Sequence, residues 1–205
     1  MIALVDYDAG NVKSVEKAIE KLGGEYVLTS DSNVIEKADA VILPGVGNFG
    51  DCMDKLISRG LDKAIRSFTS TGKPFLGICV GLQLLFDESE ESPGVPGLGI
   101  LKGKIKRFPA SGELKVPQIG WNNVSSCSGR LFEGIENGTF FYFVHSYYLD
   151  AADPVIVSSK AEYGVTFDSS VESGNVFATQ FHPEKSSDAG LRVLKNFLDL
   201  VKEGM

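Results

Sequence analysis

Two histidines, three cysteines and a single tryptophan in 205 residues exclude several chemistries at once. Cys52, Cys79 and Cys127 are odd in number and irregularly spaced, so neither a disulfide framework nor a zinc site is expected, and no metal or other cofactor is called for. Basic residues are the minority, 20 against 27 acidic ones, and no basic block interrupts the net charge of −7; a nucleic-acid surface is not expected. Long apolar runs are missing too. Nothing reaches membrane-spanning length, and Met1-Ile2-Ala3-Leu4-Val5-Asp6 reads as a strand start without the basic region and cleavage site of a signal peptide, so a cytoplasmic protein with no membrane role is expected. Asn123-Val124-Ser125 and Asn137-Gly138-Thr139 match the glycosylation pattern, but without secretion they are chance matches.

What the chain has is a core-forming composition, 43% hydrophobic, with few low-complexity stretches, enough for one α/β domain over residues 1–205. Strand and helix signals alternate in its first half. Ile2 to Tyr7 reads as a buried strand, Val12 to Leu22 as an amphipathic helix stopped by Gly23-Gly24, and Tyr26 to Thr29 and Ala40 to Leu43 as strands. Helical stretches near Cys52 to Ser58 and Leu61 to Ser70 lead into an apolar strand that begins at Lys73-Pro74-Phe75, and Leu82 to Phe86 reads as a further helix. After Glu88 comes a loop, Ser92-Pro93-Gly94-Val95-Pro96-Gly97, then strands at Phe140 to Val144, Val155 to Lys160 and Val176 to Phe181, and a last helix from Ala189 to Val201. The expected fold is a single domain with a mixed, mostly parallel twisted sheet and helices on both faces.

Chemistry concentrates at Gly77-Ile78-Cys79-Val80-Gly81. Glycines two positions either side of a central nucleophile let the chain turn sharply from strand to helix, which leaves the thiol standing at the carboxyl edge of the sheet. A cysteine among small residues in an apolar strand is also the ordinary composition of an inert core, and the histidines bear on the choice. His182, in Gln180-Phe181-His182-Pro183-Glu184, ends an apolar strand with a carboxylate two residues on. A helix amino terminus and a neighbouring imidazole stabilise a thiolate, His182 takes and returns the proton, and Glu184 holds the imidazole in one tautomer. His145, inside an aromatic strand, reads as a core or interface residue.

Gly45-Val46-Gly47-Asn48-Phe49-Gly50 fits the dinucleotide-binding spacing, but it follows a third strand, and two helical stretches intervene before the next. Backbone N–H groups of such a loop suit an oxyanion when the nucleophile lies on the neighbouring strand.

Together with Pro44-Gly45-Val46-Gly47, the Cys79 elbow and His182-Pro183-Glu184 resemble the class I glutamine amidotransferases, which hydrolyse glutamine to glutamate and pass ammonia to a synthase. With Pro117-Gln118-Ile119-Gly120-Trp121-Asn122 and Tyr142-Phe143-Val144-His145-Ser146-Tyr147, nearly the whole chain is similar to the glutaminase subunits of imidazole glycerol phosphate synthases, in histidine biosynthesis. The resemblance implies Cys79, His182 and Glu184 as the triad, and Gly47, Gln83, Ser146 and Tyr147 beside the substrate glutamine. It also implies the backbone N–H groups of Val46 and Val80 as oxyanion donors. It further implies a heterodimer with a cyclase subunit, a (β/α)8 barrel on a separate chain, for which Asn11, Trp121 and Lys185 are the expected contacts. Two departures stand out. Asp8 occupies a position in Asp6-Tyr7-Asp8-Ala9-Gly10-Asn11 where the family often has glycine, and Gln118-Ile119 replaces a common histidine-methionine pair. A partner-free cysteine hydrolase, a silent binding module, and glutaminases serving anthranilate or pyridoxal phosphate synthesis stay open at this point.

Overall fold

Strands in the first half of the chain are joined through helices, the kind of crossover that parallel pairing needs, and the pairs they form with one another are parallel. The structure, a computed structural model, describes residues 1–9, 12–109 and 114–204. Strands β1 (Ile2–Val5), β2 (Tyr26–Thr29), β3 (Ala40–Gly45) and β4 (Phe75–Cys79) alternate with helices α1 (Val12–Lys21), α2 (Ser32–Lys37), α3 (Phe49–Ser58) and α4 (Leu61–Ser70). Every residue of β1, β3 and β4 is buried, as a sheet covered on both faces requires. Helix α2 carries little apolar periodicity. It is begun by the Asp31 carboxylate, which accepts from Asn33 N, and it buries Ile35.

After β4 come a single helical turn, α5 (Val80–Gln83), then β5 (Glu88–Ser89), β6 (Gly103–Arg107), β7 (Gln118–Ser125), β8 (Phe140–His145), β9 (Tyr147–Ala151), β10 (Val157–Glu162), β11 (Thr166–Ser173), β12 (Val176–Thr179) and α6 (Ser187–Glu203). The main sheet runs β2-β1-β3-β4-β12-β11-β10-β7-β8. It is parallel from β2 to β12 and antiparallel beyond, with β9 and β6 branching antiparallel from β11.

Three expectations are corrected. The helix expected over Leu82 to Phe86 stops after one turn because the carbonyls needed to continue it are taken by another segment: Leu84 O accepts from Leu98 N (2.7 Å), Leu85 O from Ile100 N (2.9 Å) and Phe86 O from Gly99 N (3.1 Å). The strand expected from Val155 begins at Val157, since Asp153 caps a 3-10 turn over Pro154–Ile156. The strand expected to run to Phe181 ends at Thr179, whose hydroxyl donates to Phe181 O (3.0 Å) and turns the chain.

The register fixes the site. Gly45 pairs with Cys79 and Thr179 with Ile78, so the glycine loop, the nucleophile and the residues after β12 leave the sheet side by side at its carboxyl edge. That edge is where open α/β sheets carry ligands. Gly81 is required by this crowding: a Cβ there would lie 1.9 Å from the Leu43 carbonyl oxygen, a backbone atom with nowhere to go. Gly81→Ala is expected to cost about 3 kcal/mol or more by overpacking, read as a lower thermal midpoint; an unchanged midpoint would contradict the close approach.

Candidate active site

Cys79 closes β4 with φ 55° and ψ −108°, a left-handed conformation rarely adopted by a residue with a side chain, and it is the sharp turn expected of an elbow. Its side chain opens on a cavity of about 430 Å³ that Val46, Gly47, Val80, Gln83, Glu91, Ser146, Tyr147 and Lys185 help to line. A larger cleft, about 620 Å³, lies among Lys73, Arg130, Asn175 and Glu203 and is lined by no cysteine or histidine; Cys79, not volume, marks the reactive site.

His182 is buried beside it. The His182 Nδ1 lies 2.8 Å from Glu184 Oε1, which gives the imidazole its orientation, and among the described residues Nε2 has no hydrogen-bond partner. Burial opposes a charge on His182, but the neighbouring Cys79 sulfur and the Glu184 carboxylate outweigh it and raise the imidazole to about 10. Triad contacts in a substrate-free site are often loose and tighten around the reacting complex. The other thiols are held protonated, Cys52 pushed up to about 11 by burial and Cys127 raised by the same cause.

The backbone around His182 is locked to β8. His182 N donates to Tyr142 O (2.9 Å), Tyr142 N donates to Ser186 Oγ (2.9 Å), and that hydroxyl donates to His182 O (2.6 Å). Phe181 stacks on Phe141 with centroids 4.1 Å apart. Because His182 is raised above its unfolded value of 6.5, first by the Cys79 sulfur and then by Glu184, its charged form adds stability that is fully present below about pH 6.5 and is lost as pH rises through about 10. The Glu184 share of that stability is expected to make the melting-temperature gap between the native chain and Glu184→Gln wider near pH 6 than at pH 10.5; a gap independent of pH would contradict the pairing.

His145 is the last residue of β8, not interior to it, and no carboxylate pairs with it among the described residues. Its ring packs among Phe108, Phe143 and Phe167, and burial lowers it to about 4, which leaves it neutral. His145 is buried among these rings and also borders the Cys79 cavity.

Gln83, Gly47, Ser146 and Tyr147 all line the cavity. Gln83 is more constrained than its spacing suggests. Its Nε2 donates to Tyr147 O and to Gln180 Oε1, both at 3.1 Å, which leaves its carbonyl oxygen for a ligand. The two oxyanion expectations part company. Val80 N–H opens α5, where helix geometry leaves donors unpaired. Val46 N–H donates instead to Ala9 O (3.0 Å), so it serves the oxyanion only after the peptide turns.

Glu91, Gln180 and Ser186 were not singled out by the sequence reading. Glu91 sits in the acidic run Asp87–Glu91, where nothing marks one carboxylate from the next, yet it lines the cavity and accepts from Phe49 N (2.7 Å). It could meet a ligand ammonium group. Asp8 takes φ 60° and so supplies the turn that glycine would have given; Arg59 pairs with its carboxylate and Lys55 Nζ donates to its carbonyl (2.7 Å).

Beside the cavity mouth, β7 and β8 present an apolar face. Trp121 is 51% exposed, Ile119 63% and Phe140 56%, with Trp121 edge-on to Tyr142 and Lys185 Nζ 6.0 Å from that same ring. Asn11 lies outside the described residues.

The family model described as glutamine amidotransferase class-I matches residues 3–201. The imidazole glycerol phosphate synthase subunit HisH of Moorella thermoacetica is 52% identical over 202 residues, 98% of this chain and 95% of that protein. The HisH subunit of Methanothermobacter thermautotrophicus is 47% identical over 203 residues, 98% of this chain and 100% of that protein. A crystal structure described as glutamine amidotransferase superposes with a TM-score of 0.76 at 21% identity, covering 98% of this chain and all of that one, which is a likeness of fold.

Proposed function

The chain belongs to the class-I glutamine amidotransferases, and we propose that within that family it is the glutaminase subunit of an imidazole glycerol phosphate synthase, releasing ammonia from glutamine for histidine biosynthesis. The observation that carries the chemistry is a left-handed Cys79 beside a His182 whose orientation is set by Glu184. Cys79 thiolate, its proton on His182 Nε2, attacks the side-chain amide carbon of glutamine. The tetrahedral oxyanion draws on the Val80 N–H, and its collapse expels ammonia with the proton returned by His182. Water, deprotonated by His182, then hydrolyses the thioester to glutamate. Gly47, Ser146, Tyr147, the Gln83 carbonyl oxygen and Glu91 seat the amino-acid end of the substrate.

Ammonia released into bulk water is protonated and lost, so the synthase needs a sealed path to its acceptor. The proposed partner is a cyclase subunit, a (β/α)8 barrel, docking on the face of Ile119, Trp121, Phe140 and Lys185, with Asn11 as a further contact. Aromatic residues of this kind dominate interface energetics. No helix among the described residues is long and apolar enough to cross a membrane, and the biosynthetic role fits the cytoplasm.

The Val46 N–H engaged with Ala9 O makes the isolated chain a poor glutaminase. Docking of the cyclase with its nucleotide substrate turns the Gly45–Val46 peptide, and the missing donor is worth roughly a hundred- to a thousand-fold in rate. Glutamate release is expected to rise by that factor from the chain alone to the substrate-bound pair. Equal rates in the chain, the pair and the pair with nucleotide substrate would refute the switch, and unchanged rates in Trp121→Ala and Lys185→Ala pairs would remove those residues from the coupling surface.

A further inference from the structure

Cys79 Sγ has two polar neighbours besides the imidazole. Its thiol lies 3.9 Å from the Val144 carbonyl oxygen, an acceptor that suits S–H and repels S⁻, and 3.8 Å from Gln180 Nε2, a donor that suits S⁻. Gln180 is fully buried, directly after the last ladder pair of β12 with β4.

The direction of its amide is fixed by a chain of bonds. Tyr147 O is a carbonyl and can only accept, so the Gln83 atom facing it is the nitrogen. That nitrogen's second hydrogen goes to Gln180 at 3.1 Å, so the Gln180 atom facing Gln83 is the oxygen. The remaining end of Gln180, its NH2, is therefore the end turned to sulfur. His145 Nδ1 anchors the same Tyr147 carbonyl at 2.7 Å and ties the chain to the aromatic core.

We infer that Gln180 is a further catalytic residue, an oriented N–H donor to the Cys79 thiolate that holds the sulfur in place as its proton leaves for His182 Nε2. When the proton is on sulfur, it faces Val144 O. When the proton is on His182 Nε2, the sulfur keeps the electron pair, and the Gln180 N–H faces that charge without reorganisation, since Gln83 forbids the amide to flip. A donor placed before the charge forms costs nothing when it forms. The inference rests on Cys79 being the nucleophile.

The test is the rate of iodoacetamide labelling of Cys79 between pH 5.5 and 9.5, read by mass spectrometry of the Cys79 peptide, in the full chain and in Gln180→Leu and Gln180→Glu. Glutamate is nearly isosteric and still accepts from Gln83, but it turns a carboxylate oxygen toward the sulfur, so it serves if the leucine variant fails to fold. The midpoint of the labelling curve is expected to rise by about one unit in Gln180→Leu and by more in Gln180→Glu, corresponding to about tenfold slower labelling at neutral pH. In the cyclase pair, kcat for glutamine is expected to fall with KM little changed. Curves that coincide with the native one while Cys79 is still labelled, or a raised KM with unmoved curves, would overturn the donor role alone. Native labelling that passes Cys79 by would overturn the proposed nucleophile and this inference with it.

Discussion

Cys79→Ala is expected to abolish glutamine-dependent turnover of the cyclase pair while its ammonia-dependent turnover continues. The two outcomes separate because they belong to different reactions. Thioester formation needs a sulfur at this one position, where φ 55° aims the side chain into the cavity between the glycine loop and α5. Added ammonia enters after that chemistry is over. The methyl group of alanine fits the site, so docking is retained and the cyclase keeps its partner. Cys52 offers no substitute: it is buried, donates to Val46 O at 3.6 Å, and burial keeps it a thiol. Residual glutamine-dependent activity near the native level would place the nucleophile elsewhere, and loss of ammonia-dependent activity would show that the substitution had damaged the assembly rather than the step.

His182→Asn is expected to cost several orders of magnitude in kcat with glutamine, and Glu184→Gln less, since orientation and charge stabilisation are only part of what the base provides. Asparagine keeps a polar group in place but neither accepts the thiol proton nor returns one to the leaving ammonia. Glutamine at 184 still accepts a bond from His182 Nδ1 but removes the charge that helps raise the imidazole to about 10. His145→Asn is the comparison that keeps the assignment open to refutation. His145 is lowered to about 4 by burial and spends Nδ1 on Tyr147 O, so its loss should act through packing and through the Tyr147 carbonyl. Steady-state kinetics of the three variants decide the matter: damage to kcat from His145→Asn equal to that from His182→Asn would mean that the two roles have been exchanged.

The parallel half of the sheet and the grouping of Cys79, His182 and Glu184 were legible because each rests on local pattern. Apolar runs punctuated by Gly23-Gly24, the paired glycines around Cys79 and the two-residue spacing of His182 and Glu184 are all visible in a short window. The antiparallel half was only partly so. The strand over Val176 and that over Phe140 carry dense apolar residues, but β11 buries Asp168, Ser169 and Ser170, and β7 exposes Ile119 and Trp121, so alternation of polarity does not reveal them. In β11 the pattern is inverted by hydroxyls that satisfy one another across strands, Ser159 with Ser169 at 2.6 Å and Ser158 with Ser170 at 2.8 Å. In β7 the exposed apolar residues sit on the face proposed for the partner. Gln83 lines the cavity, yet its bonds to Tyr147 and Gln180 span 64 and 97 residues of sequence and leave no local trace. The commitment of Val46 N–H to Ala9 is of the same kind, a contact between two loops that only the sheet order 2-1-3-4 brings together.

The most direct test of the Cys79–His182–Glu184 site as a glutaminase is covalent capture with a glutamine-analogue electrophile on the cyclase-bound chain, followed by mass spectrometry of its three cysteine peptides. Labelling at Cys79 alone, at one equivalent per chain and prevented by excess glutamine, is the predicted result. Labelling of Cys52 or Cys127, or labelling of Cys79 that glutamine does not slow, would contradict it.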